Sequence, residues 1–231
     1  MAIFSVVVTT AAPPGLGAEA GGAFIKIDGR EAVLRSVELF LNRDNIKQIQ
    51  LVVLPDELEE AKRKYGAHLG FSGVKLIAGG PKWIEQTIAA GKNLSAEATH
   101  VILHDAARPL VPYSDIDSLM EEAEKHAAVV LTAPVRTTLV ELDEGSNPMA
   151  YHLPRSFVQL LTQWAFTKAK FSEMTASGRE LHASTLTLVK GSPINIRLGG
   201  AGDERLGKAM LGMLPKPKMK ASSGPFEEAQ W

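Results

Sequence analysis

Apolar, β-branched runs alternate along this chain with amphipathic stretches, and that rhythm predicts its architecture. Residues 3–8 form an apolar run that reads as a buried strand. Residues 9–22 follow as a loop rich in Gly, Ala and Pro. In 32–41, Val33, Val37, Phe40 and Leu41 fall at helical spacing. A second strand is predicted over 49–54, ended by Pro55, and a charged helix over 56–65 with Asp56 as N-cap. Strand 74–78 ends at Gly79-Gly80-Pro81, and helix 83–90 stops at Gly91. Strand 101–103 runs into His104-Asp105-Ala106-Ala107-Arg108-Pro109. A helix over 114–126, capped by Ser114, and a strand over 127–132 complete the series.

Such alternation with short connections predicts an α/β fold: a mainly parallel sheet with helices on both faces. Ligands of such sheets bind beyond the carboxyl ends of the strands. That singles out three loops: 9–22, 79–81 and 104–109.

Beyond Pro134 the rhythm changes. Residues 135–142 alternate, 143–148 are turn chemistry and 149–153 are extended again. A two-stranded excursion over about 135–155 is expected. A lone hairpin is marginal in water, so a second subunit is a natural surface for it. Residues 157–169 read as a helix, 192–198 as containing a short strand, and 203–214 as a last helix. The chain thus reads as one domain over 1–214. The segment 215–231, with Lys216, Lys218 and Lys220 among Pro, Ser and Gly, is expected to be a flexible tail.

Composition narrows the function classes. In 231 residues there is no cysteine, which excludes disulfides, thiolate metal sites and cysteine nucleophiles. No apolar run is long enough to span a bilayer, and the first residues lack the pattern of a secretory signal, so a cytoplasmic location without a membrane partner is expected. The net charge of −1 argues against a dedicated nucleic-acid binder, but not against a small phosphorylated ligand held by a few local donors.

Gly15-Leu16-Gly17-Ala18-Glu19-Ala20 satisfies G-x-G-x-x-A after a strand. Pro13-Pro14 before it and Gly21-Gly22 after it oppose the helix start that a dinucleotide site requires. A phosphate-cradling loop and a plain loop both stay open. No P-loop motif and no G-x-S-x-G is present. His68, His100, His126, His152 and His182 lack metal-ligand spacing. The charges of 57–64 read as a solvated helix face, and Trp83 and Trp164 as core or interface residues.

The segment 104–109 is the most informative. An aspartate at a strand's carboxyl end can hold a divalent ion that bridges phosphates. Arg108 can grip a phosphate, or simply pair with Asp105 to hold the turn. The residues alone leave both readings open.

His104 to Val111, the Gly-rich first loop, Ala78-Gly79-Gly80, Ala133-Pro134-Val135 with Thr138, Arg155, and Leu188-Val189-x-Gly191 with Asn195-Ile196 occur in the order of a known family. Over about residues 3–214 the chain resembles the 2-C-methyl-D-erythritol 4-phosphate cytidylyltransferases of the non-mevalonate isoprenoid pathway. The resemblance implies a three-layer, Rossmann-like nucleotidyltransferase fold and a homodimer whose β-arms interlock. It implies a reaction of CTP with the sugar-alcohol phosphate that releases pyrophosphate with Mg²⁺. By resemblance, Asp105 matches the metal-binding aspartate. Ala11, Ala12, Gly15, Gly17, Gly79, Gly80 and Ala106 match nucleotide-contacting positions. Thr138 and Arg155 match arm residues that reach the sugar phosphate in the partner's site.

The chain departs from the family pattern at its cations. The first-loop arginine is absent, and the loop lysine position falls on Gly22. The arginine and serine after Gly79-Gly80 are replaced by Trp83 and Gln86, the aspartate beside Thr138 by Thr137, and the late lysine by Arg197. Lys82, Arg108 and Arg197 remain as catalytic candidates to meet the charge of a leaving pyrophosphate. One such donor is worth about 10²–10³ in rate. Two readings follow: an enzyme of this family with altered cations, and a non-catalytic relative that binds a nucleotide or a protein partner.

Overall fold

The computed structural model describes residues 2–13, 16, 22–200 and 202–214. Gly15, Gly17 and the tail 215–231 therefore lie outside the described residues. The first strand, β1 (Phe4–Thr9), is buried along its whole length. A small hairpin, β2 (Lys26–Ile27) and β3 (Arg30–Glu31), leads into α1 (Ala32–Glu38). The series continues through β4 (Ile46–Val53), α2 (Leu58–Phe71), β5 (Val74–Ala78) and α3 (Trp83–Gly91). Next come β6 (His100–Asp105), α4 (Tyr113–Ala123) and β7 (Ala128–Pro134). The arm is β8 (Leu139–Leu142) and β9 (Pro148–His152). The chain then forms β10 (Val158–Thr167), α5 (Lys168–Ser177), β11 (Thr187–Lys190) and α6 (Asp203–Leu211).

The main sheet has seven strands in the order β11-β7-β10-β6-β1-β4-β5. Its pairs are parallel except where β10 lies antiparallel between β6 and β7. The mainly parallel sheet expected from the sequence is what forms.

Successive side chains of β1 point to opposite faces, and each face meets its own helices. Phe4, Val6 and Val8 join a core with Val33 and Val37 of α1, Tyr65 and Leu69 of α2, and Ile116 and Leu119 of α4. Val7 joins Val52, Trp83 and Ala90 of α3, and Phe171 and Met174 of α5. A strand covered on both sides reads as a continuous apolar run, which is why β1 was legible. The three layers follow directly. Trp83 and Trp164 are core residues of the second face.

Three expectations need correction. Residues 157–169 are mostly strand β10, not helix. In a strand buried on both faces the apolar residues do not alternate, and a bulge breaks the period further. Thr162 has φ of 60°, and the pairing with β7 jumps between Leu160 and Trp164. The short strand expected within 192–198 lies earlier, as β11, and 192–198 is an irregular crossing back over the sheet end. The helix starts also shift: α2 begins after Glu57 rather than Asp56, and α4 has Pro112 at its cap with Ser114 already inside. Proline fits there because its fixed φ suits the helix entrance.

The arm forms as expected. Val140 pairs with Tyr151, and Asp143 caps the turn by accepting from the backbone N–H groups of Gly145 and Asn147.

Candidate functional site

The parallel strands β1 and β6 finish side by side, with Thr9 paired to Asp105. The turn after β6 is fixed at once. The Ala106 N–H donates to the Thr9 carbonyl at 2.9 Å, and the Ser36 hydroxyl donates to the Ala106 carbonyl at 2.9 Å. Ala106 and Ala107 are buried, and their small side chains let neighbouring segments close over the turn.

Asp105 is 1% exposed. Its Oδ1 accepts from the Ala107 N–H at 2.9 Å. Its Oδ2 accepts from Arg197 Nε at 2.8 Å and faces Arg108 Nε at 3.9 Å. Burial pushes the carboxyl up from the usual carboxylate range, and the charges of Arg197 and Arg108 together with the Ala107 N–H pull it back.

Arg108 is almost as buried as Asp105, and two of its donors are already used. Nε donates to Thr162 Oγ1 at 2.8 Å and Nη1 to the Asn195 carbonyl at 2.7 Å. Burial brings its pKa down to about 10, while Asp105 raises it. These contacts brace the turn through β10 and the segment at Asn195, while Arg108 meets Asp105 itself only at 3.9 Å. Thr162 reaches Arg108 because the β10 bulge turns it there.

The segment 195–198 is laced onto this turn. The Leu198 N–H donates to the Ala107 carbonyl at 2.8 Å, and Asn195 Nδ2 donates to Gln163 Oε1 at 2.6 Å. The Gln163 amide lies 3.2 Å from Nδ1 of His104, which is fully buried. Burial and the Arg108 charge depress the His104 pKa to about 3, so the ring is neutral.

The first loop is tied to α3 by a residue the sequence did not single out as functional. Gln86 is fully buried; its Oε1 accepts from the N–H groups of Thr10 and Ala11 at 2.9 and 3.1 Å. Its Nε2 donates to Thr10 Oγ1 at 3.2 Å. Gly79 packs on the same residue, where a Cβ would stand 2.9 Å from Gln86 Cα and 2.6 Å from Val52 Cγ1. Ala11 and Gly79 are thus brought together through Gln86. The available signal was a glutamine on the apolar face of α3, spaced three and four residues from Trp83 and Ala90. Nothing in the sequence marks Thr162, because its importance comes from a backbone angle.

The remaining candidates are more dispersed. Gly80 sits beside Glu85, whose carboxylate accepts from the Lys82 N–H at 3.1 Å, and the Lys82 side chain is exposed at the start of α3. Ala12 is half-buried. Thr138 and Arg155 are exposed on the arm, outside the Asp105 cluster. At Gly22 a Cβ would lie 1.9 Å from the Leu198 carbonyl oxygen and 2.8 Å from Ala107 Cβ. Gly22, which the resemblance matches to a loop lysine, therefore has no room here for a side chain.

This corner holds one carboxylate between two guanidiniums, a net positive site suited to an anion. A divalent ion fits it poorly. Both Asp105 oxygens are engaged, and among the described residues no three His, Asp or Glu side chains come together as a metal-holding group. An ion on Oδ2 would have to displace Arg197 and would then face both arginines.

The chain matches, over residues 4–212, the family described as 2-C-methyl-D-erythritol 4-phosphate cytidylyltransferase (IspD). A relative of that name in Halalkalibacterium halodurans is 30% identical over 220 residues, covering 89% of this chain and 96% of the relative. One in Rhodopirellula baltica is 27% identical over 84% of this chain and 88% of the relative. Among solved structures, 4-diphosphocytidyl-2C-methyl-D-erythritol synthase from Anaerococcus prevotii superposes with a TM-score of 0.73 at 18% identity, covering 91% of this chain and 96% of that one. A CMP:2-keto-3-deoxy-manno-octonic acid synthetase bound to CTP shares the fold at a TM-score of 0.64 and 10% identity, covering 92% of this chain and 99% of that one.

Proposed function

The chain belongs to the 2-C-methyl-D-erythritol 4-phosphate cytidylyltransferase family, and we propose that it binds CTP at the strand ends and transfers the cytidylyl group to the sugar-alcohol phosphate slowly. The observation that carries this reading is the intact turn 104–109 with Arg197 brought onto it. In the reaction, a phosphate oxygen of the sugar-alcohol phosphate attacks the α-phosphorus of CTP. The new P–O bond forms as the bond to the β-phosphate bridge breaks, and pyrophosphate leaves with that electron pair. Such transfers are accelerated mainly by positioning and by cations that meet developing charge. Arg197 and Lys82 supply that charge, and Arg108 adds its field while bracing the turn. Ala11, Ala12, Gly79, Gly80 and Ala106 line the nucleotide's path. The family implies Mg²⁺; with both Asp105 oxygens already hydrogen-bonded and two guanidiniums beside them, Asp105 is a poor ligand for it.

Residues 1–214 act as one unit in this reading. The arm serves a homodimer, in which Thr138 and Arg155 reach the sugar phosphate of the partner's site. No helix among the described residues is long and apolar enough to cross a membrane. A cytoplasmic location is part of this reading.

A second reading, a non-catalytic nucleotide- or protein-binding relative, is favoured by the closure at Gly22, which removes a cation site that the family uses. A pyrophosphate-release assay with CTP, Mg²⁺ and 2-C-methyl-D-erythritol 4-phosphate separates the two. Slow release that Asp105→Ala abolishes is expected. No release, together with no CTP-dependent rise in melting temperature, would leave the protein-binding relative in its place. A melting shift without release would leave a nucleotide-binding relative.

A further inference from the structure

We infer that Arg197 is the resident cation of this site, and that Asp105 holds it where a divalent ion would otherwise bridge a carboxylate to a phosphate. A pyrophosphate-bearing ligand is then gripped by Arg197 with no metal between it and Asp105. The inference deepens the proposed function and rests on its placement of the triphosphate at the end of β6.

Three observations carry it. First, each oxygen of Asp105 already accepts a hydrogen bond. Its side chain is fully buried, Oδ1 accepts from Ala107 and Oδ2 from Arg197 at 2.8 Å. Second, Arg197 is not a loose surface rotamer. Its backbone is pinned on both flanks to the turn it serves, through Arg108 to the Asn195 carbonyl and through Leu198 to Ala107. Asn195 is itself held by Gln163. Third, the local charge already balances in favour of an anion. One carboxylate faces guanidiniums at 2.8 and 3.9 Å. A divalent ion entering here would meet two like charges and would have to shed most of its water.

Arg197 contributes more than neutralisation. One of its donors is spent on Asp105, and Nη1 makes only a long contact of 3.4 Å to the Leu198 carbonyl. The planar fork is thereby aimed, and among the described residues its outer edge has no other hydrogen-bond partner, which leaves it to bind two phosphate oxygens. Asp105 is a positioning residue in this scheme: it acts on the ligand through Arg197. A lysine at 197 would place a single point charge there, without a fork that can face the carboxylate and the phosphate together.

The test is calorimetric titration of the full chain with inorganic pyrophosphate and, separately, with CTP, each in excess EDTA and in millimolar Mg²⁺. Pyrophosphate is expected to bind in EDTA, with an affinity within about threefold of that in Mg²⁺, since no bridging ion contributes. The double variant Asp105→Asn with Arg197→Gln removes both charges and keeps a donor facing an acceptor, so it is expected to fold. It should lose about tenfold or more in pyrophosphate affinity in EDTA. Arg197→Lys should bind more weakly than the native chain and more tightly than the double variant. Pyrophosphate binding that requires Mg²⁺, or that survives unchanged in the double variant, overturns the inference. Arg197-dependent pyrophosphate binding with no CTP binding would sustain it while sinking the nucleotide reading of the site.

Discussion

His104 shows how much one buried side chain can impose on the whole molecule. Its ring is fully buried beside Asp105, in edge contact with Phe40, and its pKa is about 3. In the unfolded chain an ordinary histidine takes a proton near 6.5. The unfolded state therefore binds more protons between these two values, and stability is present above pH 6.5 and lost as pH falls toward 3. From pH 7 to pH 5 the loss from this group is about 2 kcal/mol. Urea unfolding at the two pH values measures it. His104→Asn keeps an acceptor for Gln163, and its midpoint should fall distinctly less over the same interval. An equal fall in both proteins would assign the acid sensitivity elsewhere. Gly22 makes a different point at the same scale. With a carbonyl oxygen 1.9 Å from the place of its Cβ, restoring a lysine there would push backbone apart rather than return a cation to the site.

At the scale of elements, β10 decides the site. It is the one antiparallel strand of the main sheet, wedged between β6 and β7. Its bulge holds Thr162 at φ of 60°, an unfavourable angle for a β-branched residue and a strain of about 1–3 kcal/mol. What the bulge provides is an acceptor for buried Arg108. Thr162→Val preserves shape and removes that acceptor. It should destabilise the fold by about 1–3 kcal/mol, the cost of a buried donor left without a partner. Chemical denaturation would read the change, and a native-like midpoint would show that the Thr162 contact is not needed to hold Arg108. The same strand explains what the sequence could and could not disclose. Strand β1 was legible because burial on both faces makes an unbroken apolar run. The arm was legible because one solvated strand alternates and Asp143-Glu144-Gly145 is turn chemistry. For β10, exposure of its first residues, burial of the rest and the bulge together erase the period of two, and the remaining spacing of Leu161, Trp164 and Ala165 mimics a helix. Within the site, Asp105, Arg108 and Gly79 were legible because residue type and loop position coincide. Gln86, Gln163 and Thr162 were not, because their roles depend on partners 76, 59 and 54 residues away in sequence.

For the whole molecule, the arm is the feature that does not fit a solitary chain. Tyr151 is 84% exposed and Met149 66%, with Leu142 and Leu153 beside them on the same two-stranded projection. Phe157, Val158 and Leu160 at the start of β10 are exposed as well. Among the described residues the arm's two strands pair only with each other, and two strands in water are marginal unless something covers them. Large apolar residues exposed together on one hairpin usually mark an interface. In the proposed dimer a second copy covers it, and the same docking carries Thr138 and Arg155 to the other subunit's sugar phosphate. Light scattering at micromolar concentration should therefore give the mass of two chains. Tyr151→Asp with Leu153→Asp, far from Asp105, should shift the mass to one chain and leave Arg197-dependent pyrophosphate binding in place. Because Thr138 and Arg155 would no longer reach the partner's site, affinity for the sugar phosphate should drop by about tenfold or more in the same variant. A native chain that is monomeric at these concentrations would remove the dimer, and with it the only route by which the arm residues enter the proposed reaction.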